Sequence, residues 1–142
     1  MHTEHLQNVR PSWVLLGWFI SVAIVSLLAL LLAATGMVDT EASGGVWGVL
    51  AIAIGFGIGG WFLGARTGVA PILQGVAMGL VSLLLWFLAN LIAGESLNAA
   101  EWIRGSESYY AGLLITQIAA AVVGARIGSR PRRVAAVTDG RE

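Results

Sequence analysis

The sequence predicts an all-α integral membrane protein with four transmembrane helices. Three observations carry the prediction. Four long runs of the chain are almost wholly apolar. Charged residues make up 11% of the 142 residues and hydrophobic ones 57%, whereas a water-soluble domain carries about 25% charge. Finally, when the runs are threaded back and forth, seven of the eight arginines fall on one side.

A spanning helix needs about 20 mostly apolar residues. The runs cover 13–34, 45–64, 72–93 and 109–127. Inside them the only charged residue is Arg126, at the end of the last. Such runs are too long for the strands of a membrane barrel, which alternate over about ten residues. The first run also exceeds the apolar core of a signal peptide, about 7–15 residues. It is expected to stay as an anchor, although Leu32-Ala33-Ala34-Thr35-Gly36 is small enough to suggest a cleavage site. The whole chain, 1–142, is read as one four-helix transmembrane domain with a basic tail at 129–142.

Orientation follows from arginine placement, because cytoplasmic loops retain positive charge. Arg10, Arg66, Arg126, Arg130, Arg132, Arg133 and Arg141 share one side with Glu4, Asp139 and Glu142. Arg104 stands on the other with Asp39, Glu41, Glu95, Glu101 and Glu107. Both termini are therefore expected inside. The formal net charge of zero conceals two opposite halves. Trp13 and Trp61 fit the inner interface. Trp47, Trp86, Tyr109 and Tyr110 fit the outer one.

An internal repeat underlies this layout. Pro11, Pro71 and Pro131 are 60 residues apart, as are Gly64-Ala65-Arg66 and Gly124-Ala125-Arg126. Aligning 11–70 with 71–130 without a gap gives 13 identities in 60. The chain reads as a tandem duplication of a helical hairpin. Two spans per unit give both units the same orientation, so the relating axis lies along the membrane normal. Pro11 and Pro71 suit a first helical turn, where a missing N–H costs nothing.

The second span is rich in glycine, which in water would destroy a helix. In lipid the helix persists, because any other form strands backbone groups. Gly48, Ala51, Gly55 and Gly59 form one small-residue stripe; Ala53, Gly57, Gly60, Gly64 and Gly68 form another. Two such stripes place this helix between two neighbours. Gly112, Thr116, Ala120, Gly124 and Gly128 make a single row on the fourth span, and Gly75 and Gly79 mark the third. The first span, richer in Leu, is expected at the periphery. The stripes suit packing within the chain or between chains, and sequence leaves both open.

Polar side chains at membrane depth are where function is sought first. Gln117 and Thr116 stand mid-span, Gln74 and Asn90 near the ends of the third span, and Ser21, Ser26 and Ser82 are able to bond back to their own helices. A path lined by Gln74, Asn90, Thr116 and Gln117 is one functional expectation. An interhelical bond from Gln117 is the structural alternative. No carboxylate or histidine lies inside a span, and the chain has no cysteine, which leaves no evident constellation for hydrolysis, thiol chemistry or haem ligation. No enzyme, cofactor or metal site is expected. The outer loop 94–108 either forms a short surface helix anchored by Trp102 or stays irregular. Arg126, Arg130, Arg132 and Arg133 are expected at lipid headgroups, each worth about 1 kcal/mol near an anionic leaflet. Without aromatic stacking residues beside them, nucleic acid is not an expected partner.

Gly59-Gly60-Trp61-Phe62-Leu63-Gly64-Ala65-Arg66-Thr67-Gly68, followed by Gln74-Gly75 and Gly79, resembles small four-helix prokaryotic integral membrane proteins of unknown function. Their pattern is a Gly-rich second helix ending in Gly-x-x-x-Gly and Arg, then a third helix with an early Gly. The rest of the chain matches only by layout. The resemblance implies a fold and no chemistry. Arginine without lysine, among much Ala, Gly and Val, suggests a GC-rich bacterial source and the cytoplasmic membrane. The functional expectation is a small structural or accessory protein that self-associates or joins a larger membrane complex through Gly-rich faces. A channel or transporter subunit is the alternative.

Overall fold

The computed structural model describes residues 10–36, 44–93 and 107–130. They form four α-helices: α1 (Pro11–Ala34), α2 (Gly44–Thr67), α3 (Pro71–Ala93) and α4 (Glu107–Gly128). All four are long and apolar enough to cross a membrane. Their limits agree with the sequence-predicted spans to within three residues at each end. The outer loop with Trp102 and the tail with Pro131, Arg132 and Arg133 lie outside the described residues.

The helix ends have local causes. Pro11 and Pro71 each open a helix, with φ already set for it. At the far end of α1, Gly36 takes a φ of +66°, the left-handed exit that glycine adopts without a Cβ penalty. The α2–α3 connection needs only residues 68–70. Gly68 (φ +63°) and Ala70 (φ +45°) reverse the chain there. The N–H of Gly68 donates to the Gly64 carbonyl at 2.9 Å, and that of Gln74 donates to the Ala70 carbonyl at 3.0 Å. Gly68 therefore belongs to the turn; a Cβ there would meet nothing.

The helices form a ring in the order α1, α2, α4, α3. α2 touches both α4 and α1 extensively, and α3 packs mainly on α4. Thus α2 takes the central place that its two stripes predict. Ala51, Gly55 and Gly59 are buried, the two glycines against α1, where a Cβ on Gly59 would strike Ser21 Oγ and lie 2.6 Å from the Gly17 carbonyl. Gly60 and Gly64 face α4, each against a backbone carbonyl, of Ala121 and Ala125. From the other side Gly124 meets the Gly57 carbonyl and Gly128 the Trp61 carbonyl. The α2–α4 seam is therefore backbone against backbone, the close approach that small residues permit.

Three further members of the predicted stripes behave differently. A Cβ on Gly57 would meet nothing within 4 Å, and it is the Gly57 carbonyl that faces α4. Gly112 is exposed and a Cβ there would meet nothing within 4 Å, so the small-residue row of α4 seals against α2 only over its last turns. A Cβ on Gly48 would lie 3.1 Å from the Tyr109 hydroxyl; an aromatic side chain fills that space. Gly112 stands 12 residues from Gly124, about 120° around the helix, so the row has turned away from α2 by that point. α2 and α4 touch by backbone around Gly64 and Ala125, and by the Tyr109 side chain at the other end.

The same asymmetry holds throughout. Arg10, Arg66, Arg126 and Arg130 lie at one end, here termed the arginine end. Among the described side chains, every buried one of α1, α3 and α4 lies in the half next to it: Val14, Gly17 and Ser21; Gln74, Gly75, Met78 and Gly79; Ala121, Gly124 and Ala125. Val14, Phe56, Leu63, Met78 and Ala121 make the core cluster. In the far half of α3, seven consecutive residues, 83–89, are exposed. A helix packed along one face cannot show that pattern. The far half of α3 stands apart from the bundle, and so does α1 beyond Val25, which still packs on Gly55.

Candidate functional site

A cavity of about 420 Å³ opens where α1 and α3 part. Trp18, Val22, Val25 and Ser26 form one wall, and Ser82, Leu85 and Trp86 the other. Ile52 and Phe56 of α2 and Gln117 of α4 complete it. Ser26, Leu85 and Trp86 are exposed at its mouth, whereas Phe56 is 2% exposed at its base. Among the described residues, no Asp, Glu, Lys, Arg or His side chain lines it.

Its polar side chains are Trp18, Ser26, Ser82, Trp86 and Gln117. The Trp18 indole N–H donates to Ser82 Oγ at 2.8 Å, joining α1 to α3. Ser82 Oγ donates to its own helix at the Met78 carbonyl, 3.4 Å away. Gln117 Oε1 is buried and accepts no hydrogen bond among the described residues. An unpaired buried amide oxygen costs about 1–3 kcal/mol. The Gln117 oxygen is enclosed by its neighbours and is not reached from the cavity.

The four residues of the expected polar path do not converge. Gln117 lines the cavity. Thr116 turns its hydroxyl back to the Gly112 carbonyl at 2.8 Å. Gln74 is fully buried at the arginine end, where its Nε2 donates to the Val69 carbonyl at 2.8 Å and its Oε1 is unpaired. Asn90 lies on α3, but its side chain is outside the described ones. The α3–α4 register, Gly79 against Ile118 and Gly75 against Val122, sets Gln74 about six residues, or about 9 Å, below Gln117. Leu63 and Met78, both 0% exposed, occupy that interval and approach the same point beside Gly17 at 3.4 and 3.5 Å. The two amides are separated by a packed apolar core.

Trp18 carries more of this site than sequence reasoning assigned to it. A signal existed: Trp18 stands about two turns inside α1, too deep for an interfacial anchor. Ser82 was legible only as a residue bonding to its own helix, since its partner comes from another hairpin. Ser21 does bond back, donating to the Gly17 carbonyl at 2.9 Å.

The arginine end has a second concavity, about 640 Å³, between the ends of α2 and α4. Arg66 and Arg130 flank it, over a floor that includes Gly64, Gly68 and Gly128. Arg66 lies 5.6 Å above the Phe62 ring, within cation–π range, and Phe62 in turn is 6.5 Å from Trp13. Arg126 is exposed nearby.

No family model, curated protein or solved structure matches the chain. The site's chemistry therefore rests on its own residues.

Proposed function

We propose that the chain is a non-enzymatic accessory subunit of the bacterial cytoplasmic membrane, a tandem pair of helical hairpins with both termini inside. The observation that carries the accessory role is the far half of α3. Residues 83–89 are exposed around the full helix, and Leu91 and Ile92 beyond them reach 60% and 86%. Such a segment is able to pack on a neighbouring transmembrane helix without disturbing its own bundle. The Gly-rich faces of α2 serve a different purpose, since Gly55, Gly59, Gly60 and Gly64 are taken up inside the chain.

Two features support the duplication and orientation. Shifted by 60, the Gly75–Val122 and Gly79–Ile118 contacts fall at 15–62 and 19–58, the register of the Gly17–Gly59 contact in the first hairpin. The four described arginines share one end, as positive-inside retention demands. Arg66 and Arg130 suit anionic headgroups there.

The absence of native cysteine makes the test direct. Leu84→Cys and Leu91→Cys are crosslinked in native membranes, with Val123→Cys on α4 as a comparison. The reading expects adducts, to a second copy or to another membrane protein, from the α3 positions in excess of the α4 position. A strict monomer by native mass spectrometry, with no adduct from α3, overturns it. The channel alternative keeps Gln117 but meets the Leu63–Met78 core below it. Liposomes containing the protein are expected to hold an ion gradient as well as empty ones.

A further inference from the structure

We infer that the notch between the ends of α2 and α4 is a discrete site for the phosphodiester of an anionic phospholipid, held between Arg66 and Arg130. This rests on the reading of the arginine end as the headgroup-facing one and makes it specific. It is independent of the accessory role and of which face of the membrane that end meets.

The seam makes these two arginines a pair. A Cβ on Gly60 would meet the Ala121 carbonyl, and one on Gly64 that of Ala125. Exchanging the two helices with a shift of 64 residues turns these contacts into Gly124 against Gly57 and Gly128 against Trp61. Those are the contacts found. A local twofold therefore relates α2 to α4. The 60-residue repeat by itself matches Arg66 with Arg126. The seam, about one turn out of that register, matches Arg66 with Arg130. Both flank the concavity of about 640 Å³, and Arg126 does not line it.

The chemistry of the notch names its ligand. Arg66 and Arg130 are exposed, so a headgroup reaches them. Phe62 sits against the Arg66 guanidinium at 5.6 Å and is itself backed by Trp13 of α1. A ring on the guanidinium face leaves the in-plane N–H groups free to donate. A phosphodiester has two equivalent charged oxygens, one for each member of a twofold pair, and guanidinium suits such oxygens. The N–H groups of Gly68, Ser129 and Arg130 already donate within the chain, and two helix C-termini carry partial negative charge. Holding the phosphate therefore falls to the two side chains. Among the described residues no carboxylate lies at this end. Two cations facing one phosphate favour a lipid that has no ammonium group to offset it. Trp61 and Phe62 line the same notch, which suits a charged group attached to apolar chains rather than free phosphate.

The test titrates the full chain, in micelles and about 0.15 M ammonium acetate, with phosphatidylglycerol or with phosphatidylcholine of the same acyl chains. Native mass spectrometry counts the lipids bound. The first phosphatidylglycerol is expected to bind at least about fivefold more tightly, the worth of one arginine at an anionic headgroup. Arg66→Gln and Arg130→Gln each lose about fivefold, and the double variant loses the preference. Arg126→Gln removes the same charge from the same end but loses less than about twofold, because charges off the site are screened over about 8 Å in this salt. Arg130 lies beyond the last residue of α4, so its variant leaves every helix intact. Micellar lipid reaches both ends of the bundle, so an error in orientation leaves these outcomes unchanged. Equal losses in the three single variants overturn the inference, as diffuse attraction predicts. So does equal binding of the two lipids, or displacement of phosphatidylglycerol by inorganic phosphate. A fivefold gain in its affinity on joint Asp139→Asn and Glu142→Gln substitution also overturns it, because the chain's own tail is then the occupant.

Discussion

The indole N–H of Trp18 and the hydroxyl of Ser82 are 2.8 Å apart across 64 residues of sequence. They join the first helix of one hairpin to the first helix of the other. At this depth few other partners are on hand, yet such bonds in membranes average only about 0.6 kcal/mol and reach about 1.7. Trp18→Phe and Ser82→Ala are each expected to cost that much in an unfolding titration with denaturing detergent. The double variant should cost little more than the larger single loss. Full additivity would show that the pair is not coupled.

The α2–α4 seam predicts a contrast between two glycines. A methyl at Gly64 is aimed at the Ala125 backbone, with the carbonyl carbon at 2.7 Å. Backbone cannot rotate aside, so the helices must part. Gly64→Ala is expected to destabilise by about 1–3 kcal/mol, as overpacking does. Gly112→Ala meets open space and should change stability by less than about 0.5 kcal/mol. Equal effects of the two in the same titration would refute the seam.

Gln74 holds the short turn between the hairpins but carries an orphaned oxygen. Gln74→Met removes the donor to Val69 and the orphan together. Val69 is 45% exposed, so its carbonyl is well placed to find water. The net change is expected within about 1 kcal/mol. Gln74→Glu adds a buried charge with no partner and should cost about 3 kcal/mol or more. A Glu variant as stable as the parent would mean that this position is wet.

Spans were legible because a run of apolar residues has one physical meaning at that length. The far half of α3 shows where legibility stops. Leucine facing lipid and leucine facing a partner helix are chemically alike, because lipid tails are as apolar as the side chain. Gly112 and Gly124 show a different limit, one that helix geometry does record. A row stepped every four residues drifts by about 40° per step, so Gly112 stands about 120° around α4 from Gly124, and only Gly124 has a neighbour. Gln117 was recognisable as exceptional. Its cavity was not, since the walls come from all four helices.

Orientation makes a separate prediction. Thr35 and Ser129 lie at opposite ends of the bundle. With both termini inside, Thr35→Cys should react with a membrane-impermeant maleimide in intact cells, and Ser129→Cys only after lysis. The reverse pattern would place the arginine end outside.

The seam at Gly64 and Ala125 acts as a fulcrum. Contacts are tight there, and α1 and α3 run on from their packed halves as free arms. Val25 still packs against Gly55, so the free arm of α1 runs from Ser26 to Ala34 and is about 12 Å long. A tilt of about 10° at its root carries the tip through about 2 Å, by that rise per residue. The width of the cavity mouth is therefore set by leverage from the small residues below it. A side chain at Gly17 or Gly59 should alter the mouth without touching its lining, whereas one at Gly55 acts on the lining itself by displacing Val25.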